Sequence, residues 1–280
     1  MVNYNGTLTS EPDIVIYKNR AFLYGDAVFE TLKVLNSKVL FLEDHYFRLM
    51  ASMRILRMEI PMNFTMEYLE EQALLLVNTL TESLAYRVRI SVFRKSEGYY
   101  LPLNNDVEFI ITAEPLDKSV YNFSADKYEV DLFKDFYIPK QLLSTIKSTN
   151  KMIHISGSIF ADENGLDNCL LLNEEKNVVE ALQGNLFMFK DNKLITPPIS
   201  DGCLNGIMRK QILSIAKKIE EIQVEEISIS PFDLQKADEL FITNVINGIQ
   251  PVTGYRKKQF TNILATKLQK NLNAKILLAS

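Results

Sequence analysis

The sequence predicts an α+β protein built from two domains. Short strand-like runs occur in both halves of the 280-residue chain, and in one of them, residues 86–94, apolar and polar residues alternate. Segments whose apolar residues recur at helical spacing lie between those runs. A polar stretch around Pro115 separates the two patterned halves. We therefore expect an N-terminal domain over residues 1–115, a linker over 116–123 and a C-terminal domain over 124–280.

The first half is expected to consist of short strands and two helices. The strands are predicted at 28–34, 39–42, 86–94 and 107–112. Asn36 and Ser37 lie between the first two strands and indicate a hairpin turn. In the third strand apolar and polar residues alternate, which predicts one buried face and one solvated face. Asp44 is the predicted N-cap of the first helix, and the second helix is predicted over 66–80.

The second half is expected to mix strands with helices. Asn150 is the predicted N-cap of a helix that runs to about residue 163, with Met152, Ile155 and Ile159 facing the core. Strands are predicted at 168–173, 178–182, 185–189, 193–196 and 238–243. Further helices are predicted over 206–221 and from about residue 260 to the end.

Composition and charge argue against several classes of protein. The net charge is −4 and the isoelectric point is near 5.4, whereas a nucleic-acid-binding domain normally has a basic face. We expect neither a membrane span nor a signal peptide, because no apolar run is long enough and the start of the chain is polar. The two cysteines and two histidines form no zinc-binding motif and no disulfide framework. These features predict a cytoplasmic protein that binds no metal.

Seven motifs follow one another along the chain. They are "YGDAVFETLKV" (24–34), "LEDHYFRL" (42–49), "IKSTN" (146–150), "VVEALQGNLF" (178–187), "ITPP" (195–198), "LNGIMR" (204–209) and "FITNVINGIQPV" (241–252). Over residues 15–255 the series resembles the class-IV aminotransferase family, the pyridoxal-phosphate (PLP) enzymes of fold type IV. That family includes branched-chain and D-amino-acid aminotransferases and aminodeoxychorismate lyase. The resemblance implies a small N-terminal α/β domain, a larger C-terminal domain with a pseudo-barrel sheet, bound PLP, an amino-acid-type substrate and a homodimer.

The resemblance also implies which residues bind the cofactor. It places at Lys147 the amine that joins the PLP aldehyde and then moves protons as general base and acid. Glu180 would face the pyridine nitrogen and keep it protonated. The phosphate group would be held by Arg48, Gly206, Ile207, Thr243 and Asn244. Met208 and Val245 stand where the family often has hydroxyl residues, but backbone donors remain, so we expect PLP to bind.

Four residues are the predicted pocket residues. Thr31 would hydrogen-bond the substrate or assist proton transfer, and Arg94 would bind a carboxylate. Phe29 and Tyr99 would line the walls of the pocket. These roles, like those of the cofactor ligands, are what the resemblance implies.

The sequence leaves the reaction open. Thr31, Lys151, Tyr99 after Gly98, and Asn244 resemble the lyase, which eliminates pyruvate and leaves 4-aminobenzoate. The alternative is an amino-acid aminotransferase of the branched-chain type with a 2-oxo acid acceptor, although "FET" stands where those enzymes tend to have "FEG". The segment "FRKSEGYYLP" (93–102) lacks the Arg-x-His motif of D-amino-acid enzymes. A non-catalytic PLP-binding protein is a third reading, disfavoured because both the lysine and the glutamate are retained.

Overall fold

The structure, a computed structural model, describes residues 1–95, 97–123 and 127–279. The described residues form two compact units, one made of residues 1–119 with 146–150, the other of 120–145 with 151–279. The segment 146–150 belongs to the first unit although it lies inside the predicted C-terminal domain. Its backbone pairs with a first-unit strand, because Phe29 N–H donates to the Lys147 carbonyl at 2.9 Å and Thr149 N–H donates to the Ala27 carbonyl at 3.0 Å.

The first unit is an antiparallel sheet with helices. Its strands are β1 (Val2–Tyr4), β2 (Thr7–Thr9), β3 (Ala27–Leu35), β4 (Lys38–Val39), β5 (Ala85–Arg94) and β6 (Val107–Pro115). Its helices are a 3-10 turn (Ile16–Lys18), α1 (Arg20–Tyr24), α2 (Leu42–Ile55) and α3 (Met66–Val77). The strands pair in the order β2-β1-β6-β5-β3-β4. The predicted strands and helices of the first half are thus present, and β1 and β2 were not predicted.

The core of the first unit lies between one face of the sheet and helices α2 and α3. Strand β5 contributes Val88, Ile90 and Val92, each at most 2% exposed, which confirms the predicted alternation. The helices contribute a cluster of apolar residues: Leu49, Met50, Met53, Leu69, Ala73, Leu76 and Val77. Apolar residues at helical spacing in both helices thus form the face that packs on the sheet, whereas Phe47 of α2, also apolar, is 58% exposed.

Two local turns explain where β4 and α2 begin. Asn36 and Ser37 have positive φ angles of 48° and 59°, the geometry of a two-residue hairpin turn, so the predicted hairpin is confirmed. Helix α2 begins at Leu42 with Phe41 at the N-cap position. The predicted N-cap at Asp44 is therefore wrong. Asp44 lies in the first turn, where its negative charge interacts favourably with the helix dipole.

The second unit contains two sheets in its described residues. Its strands are β7 (Glu129–Ile138), β8 (Asn168–Asn173), β9 (Val178–Ala181), β10 (Asn185–Lys190), β11 (Lys193–Thr196), β12 (Gln223–Glu226), β13 (Glu239–Asn244), β14 (Gly248–Val252), β15 (Gly254–Tyr255) and β16 (Lys258–Gln259). Its helices are α4 (Leu142–Thr145), α5 (Met152–Glu163), a 3-10 turn (Ile199–Asp201), α6 (Ile207–Ala216), α7 (Pro231–Leu234) and α8 (Ile263–Ala279). The sheet orders are β16-β15-β7-β8-β9 and β12-β11-β10-β13-β14. Across the described part of the chain, no helix has both the length and the apolar character that crossing a membrane requires.

Strand β8 is buried on both faces. Leu170 and Leu172 pack in a cluster with residues of β10 and β13, whereas Cys169 and Leu171 pack in a second cluster beside α5. This arrangement explains why "NCLLLN" reads as a continuous apolar run without alternation. Strand β9, which carries Glu180, pairs antiparallel with β8 and is equally buried.

Helix α5 packs with the opposite face from the one predicted. Met152, Ile155 and Ile159 are 71%, 52% and 55% exposed, so the prediction that they face the core is wrong. The buried side carries Gly157 and Ala161, whose small size lets the helix lie close to the sheet. A Cβ at Gly157 would lie 2.5 Å from Leu182 Cδ2. The helix is also not capped by Asn150, since Lys151 occupies the N-cap position.

A buried ion pair joins helix α2 to strand β3. Glu30 is 1% exposed and accepts hydrogen bonds from Arg48 Nε at 2.7 Å and Arg48 Nη2 at 2.6 Å. His45 Nδ1 lies 2.7 Å from the same carboxylate. Burial alone would raise the pKa of Glu30, but the charge and hydrogen bonds of Arg48, together with His45, lower it from 4.5 to about 2. Burial lowers the pKa of His45. The pair therefore fixes the guanidinium of Arg48 against the sheet.

Replacing Glu30 by Gln is expected to lower the free energy of unfolding by about 3–5 kcal/mol at neutral pH, since Arg48 would be left buried without its counter-charge. The pKa of Glu30 is lower in the folded protein than its model value, so its contribution is fully present above pH 4.5 and is lost as the pH falls toward 2. Denaturant unfolding followed by circular dichroism, repeated across this pH range, measures both effects. Glu114→Gln, which removes an exposed pair with Arg87, is the matched control and should change stability by less than about 1 kcal/mol. If the free energy of unfolding of Glu30→Gln changed with pH as that of the wild type does, this role of Glu30 would be contradicted.

Candidate active site

In the first unit, one face of strand β3 carries Phe29 and Thr31 beside Lys147. Phe29 is 8% exposed, and its ring lies under the Lys147 amine at 4.7 Å from Nζ to the ring centroid. The backbone bond from Phe29 N–H to the Lys147 carbonyl fixes the start of this lysine's side chain next to the strand. Thr31 lies two residues further along the same face and is half-buried. The structure thus brings together three of the predicted site residues.

Arg89 is a fourth member of this face that the sequence did not single out. It lies directly opposite Thr31 in the β3–β5 pairing, and its guanidinium is 3.6 Å from the centroid of the Phe29 ring. Burial, and then the neighbouring Arg87, lower the pKa of Arg89. The alternation of β5 predicted a solvated face, and pairing that strand with β3 in this register would have located the cation beside Thr31. A half-buried guanidinium on the same face as an amine and a hydroxyl can bind a carboxylate.

Arg94 and Tyr99 lie in different surroundings from those predicted. Arg94 donates to Asp26 at 2.9 Å and to the Leu56 carbonyl at 2.8 Å, and it also bonds Asn105. Its guanidinium is therefore engaged in holding the strand end to the neighbouring loops. Tyr99 is 86% exposed, with its backbone carbonyl bonded to Arg20. Their substrate-binding roles stay predictions that these contacts do not support.

In the second unit, Glu180 presents a buried carboxylate with two donors. It is 5% exposed on strand β9. Leu204 N–H donates to its Oε2 at 2.8 Å, and His154 Nε2 lies 3.1 Å from its Oε1. A carboxylate can accept about four hydrogen bonds, so this one can still receive a further donor such as a protonated ring nitrogen. The placement is the one that the predicted role of Glu180 needs.

The predicted phosphate ligands of the second unit lie at the start of α6 and the end of β13. Gly206 is the N-cap of α6, so the N–H groups of the first turn, beginning with Ile207, have no partner within the helix. A Cβ at Gly206 would overlap Asn185 Oδ1, which explains the glycine. Asn185 lies opposite Thr243 in the β10–β13 pairing.

Thr243 supports an anion site at this position. Its Oγ1 is buried and has no hydrogen-bond partner among the described residues. Asn244 follows, and its side chain accepts from the Ile246 and Asn247 N–H groups and so closes a turn. An unpartnered buried hydroxyl and a helix N-terminus are suited to a phosphate group. Met208 and Val245 are buried apolar residues, so they supply no side-chain donor. The residues present therefore fit PLP.

The chain is similar to known proteins over most of its length. The model of the amino-transferase class IV family matches residues 27–255. A protein of Methanocaldococcus jannaschii, provisionally named a branched-chain-amino-acid aminotransferase, is 31% identical in an alignment of 278 positions that covers 97% of this chain and 93% of the relative. Other relatives are named branched-chain and D-alanine aminotransferases.

Solved structures share the fold. The PLP form of a branched-chain amino acid aminotransferase from Thermobaculum terrenum aligns with a TM-score of 0.83 at 22% identity, covering 96% of this chain and 91% of that one. A Legionella pneumophila protein provisionally named 4-amino-4-deoxychorismate lyase aligns with a TM-score of 0.81 at 27% identity, covering 95% and 96%. The predicted α+β fold of type IV is confirmed. The chain belongs to the class-IV aminotransferase family, whose members use PLP as their cofactor.

Proposed function

We propose that this chain is a PLP-dependent lyase that converts 4-amino-4-deoxychorismate into 4-aminobenzoate and pyruvate. The observation that carries the proposal is the face formed by Lys147, Phe29, Thr31 and Arg89, where the Lys147 amine and the Arg89 guanidinium lie over the Phe29 ring and Thr31 is the cross-strand neighbour of Arg89. When bound, PLP supplies an electron-accepting ring that stabilises the carbanion left after a proton is removed. The chain's own residues supply the proton transfers and the binding.

Each residue has a distinct part in this reaction. The amine of Lys147 takes the proton from the substrate carbon that bears the amino group, acting as general base. The bond between the ring carbon and the enolpyruvyl oxygen then breaks, its electrons leave with the oxygen, and the released enolate takes up a proton on carbon to become pyruvate. Thr31 can hydrogen-bond that oxygen, and Arg89 can bind a substrate carboxylate. Glu180 would hold the proton on the pyridine nitrogen, and Gly206, Ile207, Thr243 and Asn244 would bind the phosphate. Arg48 donates to the Glu30 carboxylate through Nε and Nη2, so its role as a phosphate ligand stays a prediction that these contacts do not support.

Sequence features support the lyase over the aminotransferase. Thr31, Lys151, Tyr99 and Asn244 match the lyase side of the family. The Legionella protein with a lyase name is similar over nearly the whole chain. No oxidant or second substrate is needed, because the elimination leaves the cofactor in its starting form.

An amino-acid aminotransferase is the second candidate. The names of the curated relatives favour it, including that of the relative with 31% identity. In this reaction Lys147 would move the proton from the substrate Cα to the cofactor carbon, and a 2-oxo acid would then accept the amino group. A D-amino-acid specificity has less support, since the segment after β5 lacks the Arg-x-His motif.

We also propose that the protein is a homodimer. Apolar residues of the second unit are exposed on and before α5: Phe136, Leu142, Leu143, Met152, Ile155 and Ile159. A row of large apolar side chains on the surface marks an interaction face. A second copy of the chain can bury it by pairing the same face about a two-fold axis. This accounts for a helix whose apolar stripe does not face its own core.

Lys147 is expected to be the residue that joins PLP. Borohydride treatment of the PLP-loaded protein should bleach its visible absorbance and attach the cofactor to a single peptide containing Lys147, as mass spectrometry would show. Lys147→Ala should abolish turnover, a loss of at least about 10³-fold, while circular dichroism stays unchanged. Lys151→Ala is the neighbouring control and should keep the covalent attachment. Label on another lysine would refute the assignment.

The purified enzyme is expected to release pyruvate from aminodeoxychorismate without added 2-oxo acid. Pyruvate can be measured with a coupled dehydrogenase and 4-aminobenzoate by chromatography. Thr31→Ala should lower kcat by about 10²-fold or more, as loss of a proton-transferring group does, with PLP affinity unchanged. Thr7→Ala, an exposed threonine on the edge strand β2, is the control. Amino transfer to 2-oxoglutarate without pyruvate release would replace the lyase by the second candidate.

The protein is expected to be a dimer in solution at micromolar concentration. Light scattering should give about twice the chain mass of 32.1 kDa. Ile155→Glu together with Ile159→Glu should shift the mass toward that of one chain, because each charge would be buried at the interface. The exposed pair Lys217→Glu and Lys218→Glu on the end of α6 should leave the mass unchanged. A monomeric wild type would refute the proposal.

A further inference from the structure

Glu180 is partnered by a histidine that the family motifs did not point to. His154 lies in the first turn of α5, and its Nε2 is 3.1 Å from Glu180 Oε1. The two side chains are 17% and 7% exposed, so the contact is largely shielded from water. The other carboxylate oxygen accepts the Leu204 N–H. Two donors on two different elements therefore define the orientation of this carboxylate.

The surroundings of His154 favour one protonation form. Its Nδ1 is buried and lacks a hydrogen-bond partner within the described ranges of the chain. An imidazolium has a proton on both ring nitrogens, and the proton on Nδ1 would have no acceptor there. The neutral ring with its proton on Nε2 satisfies the contact to Glu180, and Nδ1 then carries only a lone pair. The donor to Glu180 is thus a neutral N–H.

A neutral donor affects the carboxylate differently from a cation. An arginine or lysine in this place would compensate the charge of Glu180 and weaken its attraction for a protonated ring nitrogen. A neutral imidazole orients the carboxylate while leaving its negative charge in place. The thiol of Cys203 is affected by that charge. Its pKa is raised to about 12, mainly because the thiol is buried and also because the Glu180 carboxylate is negatively charged.

We propose that His154 is a positioning residue for Glu180 and, through it, for protonation of the cofactor. Its Nε2–H holds Oε1 so that the remaining lone pairs face the pyridine nitrogen of PLP, and its neutrality keeps that nitrogen protonated. This inference rests on the proposed contact between Glu180 and the ring nitrogen.

The test measures protonation of the cofactor rather than turnover. PLP enriched with ¹⁵N in its ring is bound to the wild type and to His154→Leu, His154→Gln, Glu180→Gln and Ser158→Ala, and the ¹⁵N chemical shift reports the protonated fraction. PLP affinity is measured in parallel by equilibrium dialysis. Ser158, which is exposed and donates to the His154 carbonyl, provides a control on the same helix.

The wild type and Ser158→Ala are expected to show a protonated nitrogen. Glu180→Gln should move the shift to that of the unprotonated ring. His154→Leu should move the ¹⁵N chemical shift in the same direction and weaken PLP binding about 10-fold. His154→Gln keeps an N–H donor, so its chemical shift and its PLP affinity should be close to those of the wild type. A His154→Leu protein that matches Ser158→Ala while Glu180→Gln differs would overturn the role of His154 and leave the proposed function intact. An unchanged shift in Glu180→Gln would overturn both the role of His154 and the proposed contact between Glu180 and the ring nitrogen.

A second measurement determines the protonation of His154 directly in the wild-type protein. The chain contains two histidines, so spectra of ¹⁵N-histidine-labelled protein hold two imidazole patterns, and His154→Gln identifies one of them. We expect the His154 pattern of a ring protonated on Nε2 alone. A proton on Nδ1, or on both nitrogens, at neutral pH would overturn the proposal.

Discussion

A buried carboxylate must accept hydrogen bonds from nearby donors to compensate for the loss of water. Each unit of this protein depends on residues that provide such donors. Glu30, Glu180 and Glu239 are 1%, 5% and 2% exposed. Glu30 is met by Arg48 and His45 of α2, and Glu239 accepts the Leu264 and Ala265 N–H groups that open α8. In every case the donors belong to an element other than the strand that carries the carboxylate. Because each buried charge needs these donors, it links its strand to a neighbouring element. Loss of a donor would lower the free energy of unfolding.

Strand β3 shows how one short element serves both stability and chemistry. Val28 and Leu32 face the core together with Glu30, whereas Phe29 and Thr31 face the side that holds Lys147. Because side chains alternate along a strand, a shift of one residue would exchange the two sets. The long antiparallel pairing with β5, from Ala27 opposite Phe93 to Leu35 opposite Ala85, prevents such a shift. The same pairing sets Arg89 opposite Thr31.

The cofactor residues and the reaction are separate questions in this family. In the proposed function, Lys147, Glu180 and the phosphate-binding residues would provide what any chemistry at the amine-bearing carbon needs. What happens after proton removal depends on which groups contact the rest of the substrate. In the proposed function Thr31 and Arg89 are such groups, and they are not part of the proposed cofactor-binding set. This is why relatives with the same fold are named both aminotransferases and a lyase.

Sequence alone determined the fold class and most strands and helices, and it supplied Lys147, Glu180, Gly206 and Thr243 as candidate cofactor residues. These follow from local periodicity and from motif order, which need no knowledge of distant contacts. Tertiary structure decided what lies across space from each residue. It engaged Arg94 with Asp26, placed Arg89 on Phe29, and set His154 against Glu180, 26 positions away in the chain. It also turned the apolar face of α5 outward, because periodicity shows that a face is apolar but not which surface covers it.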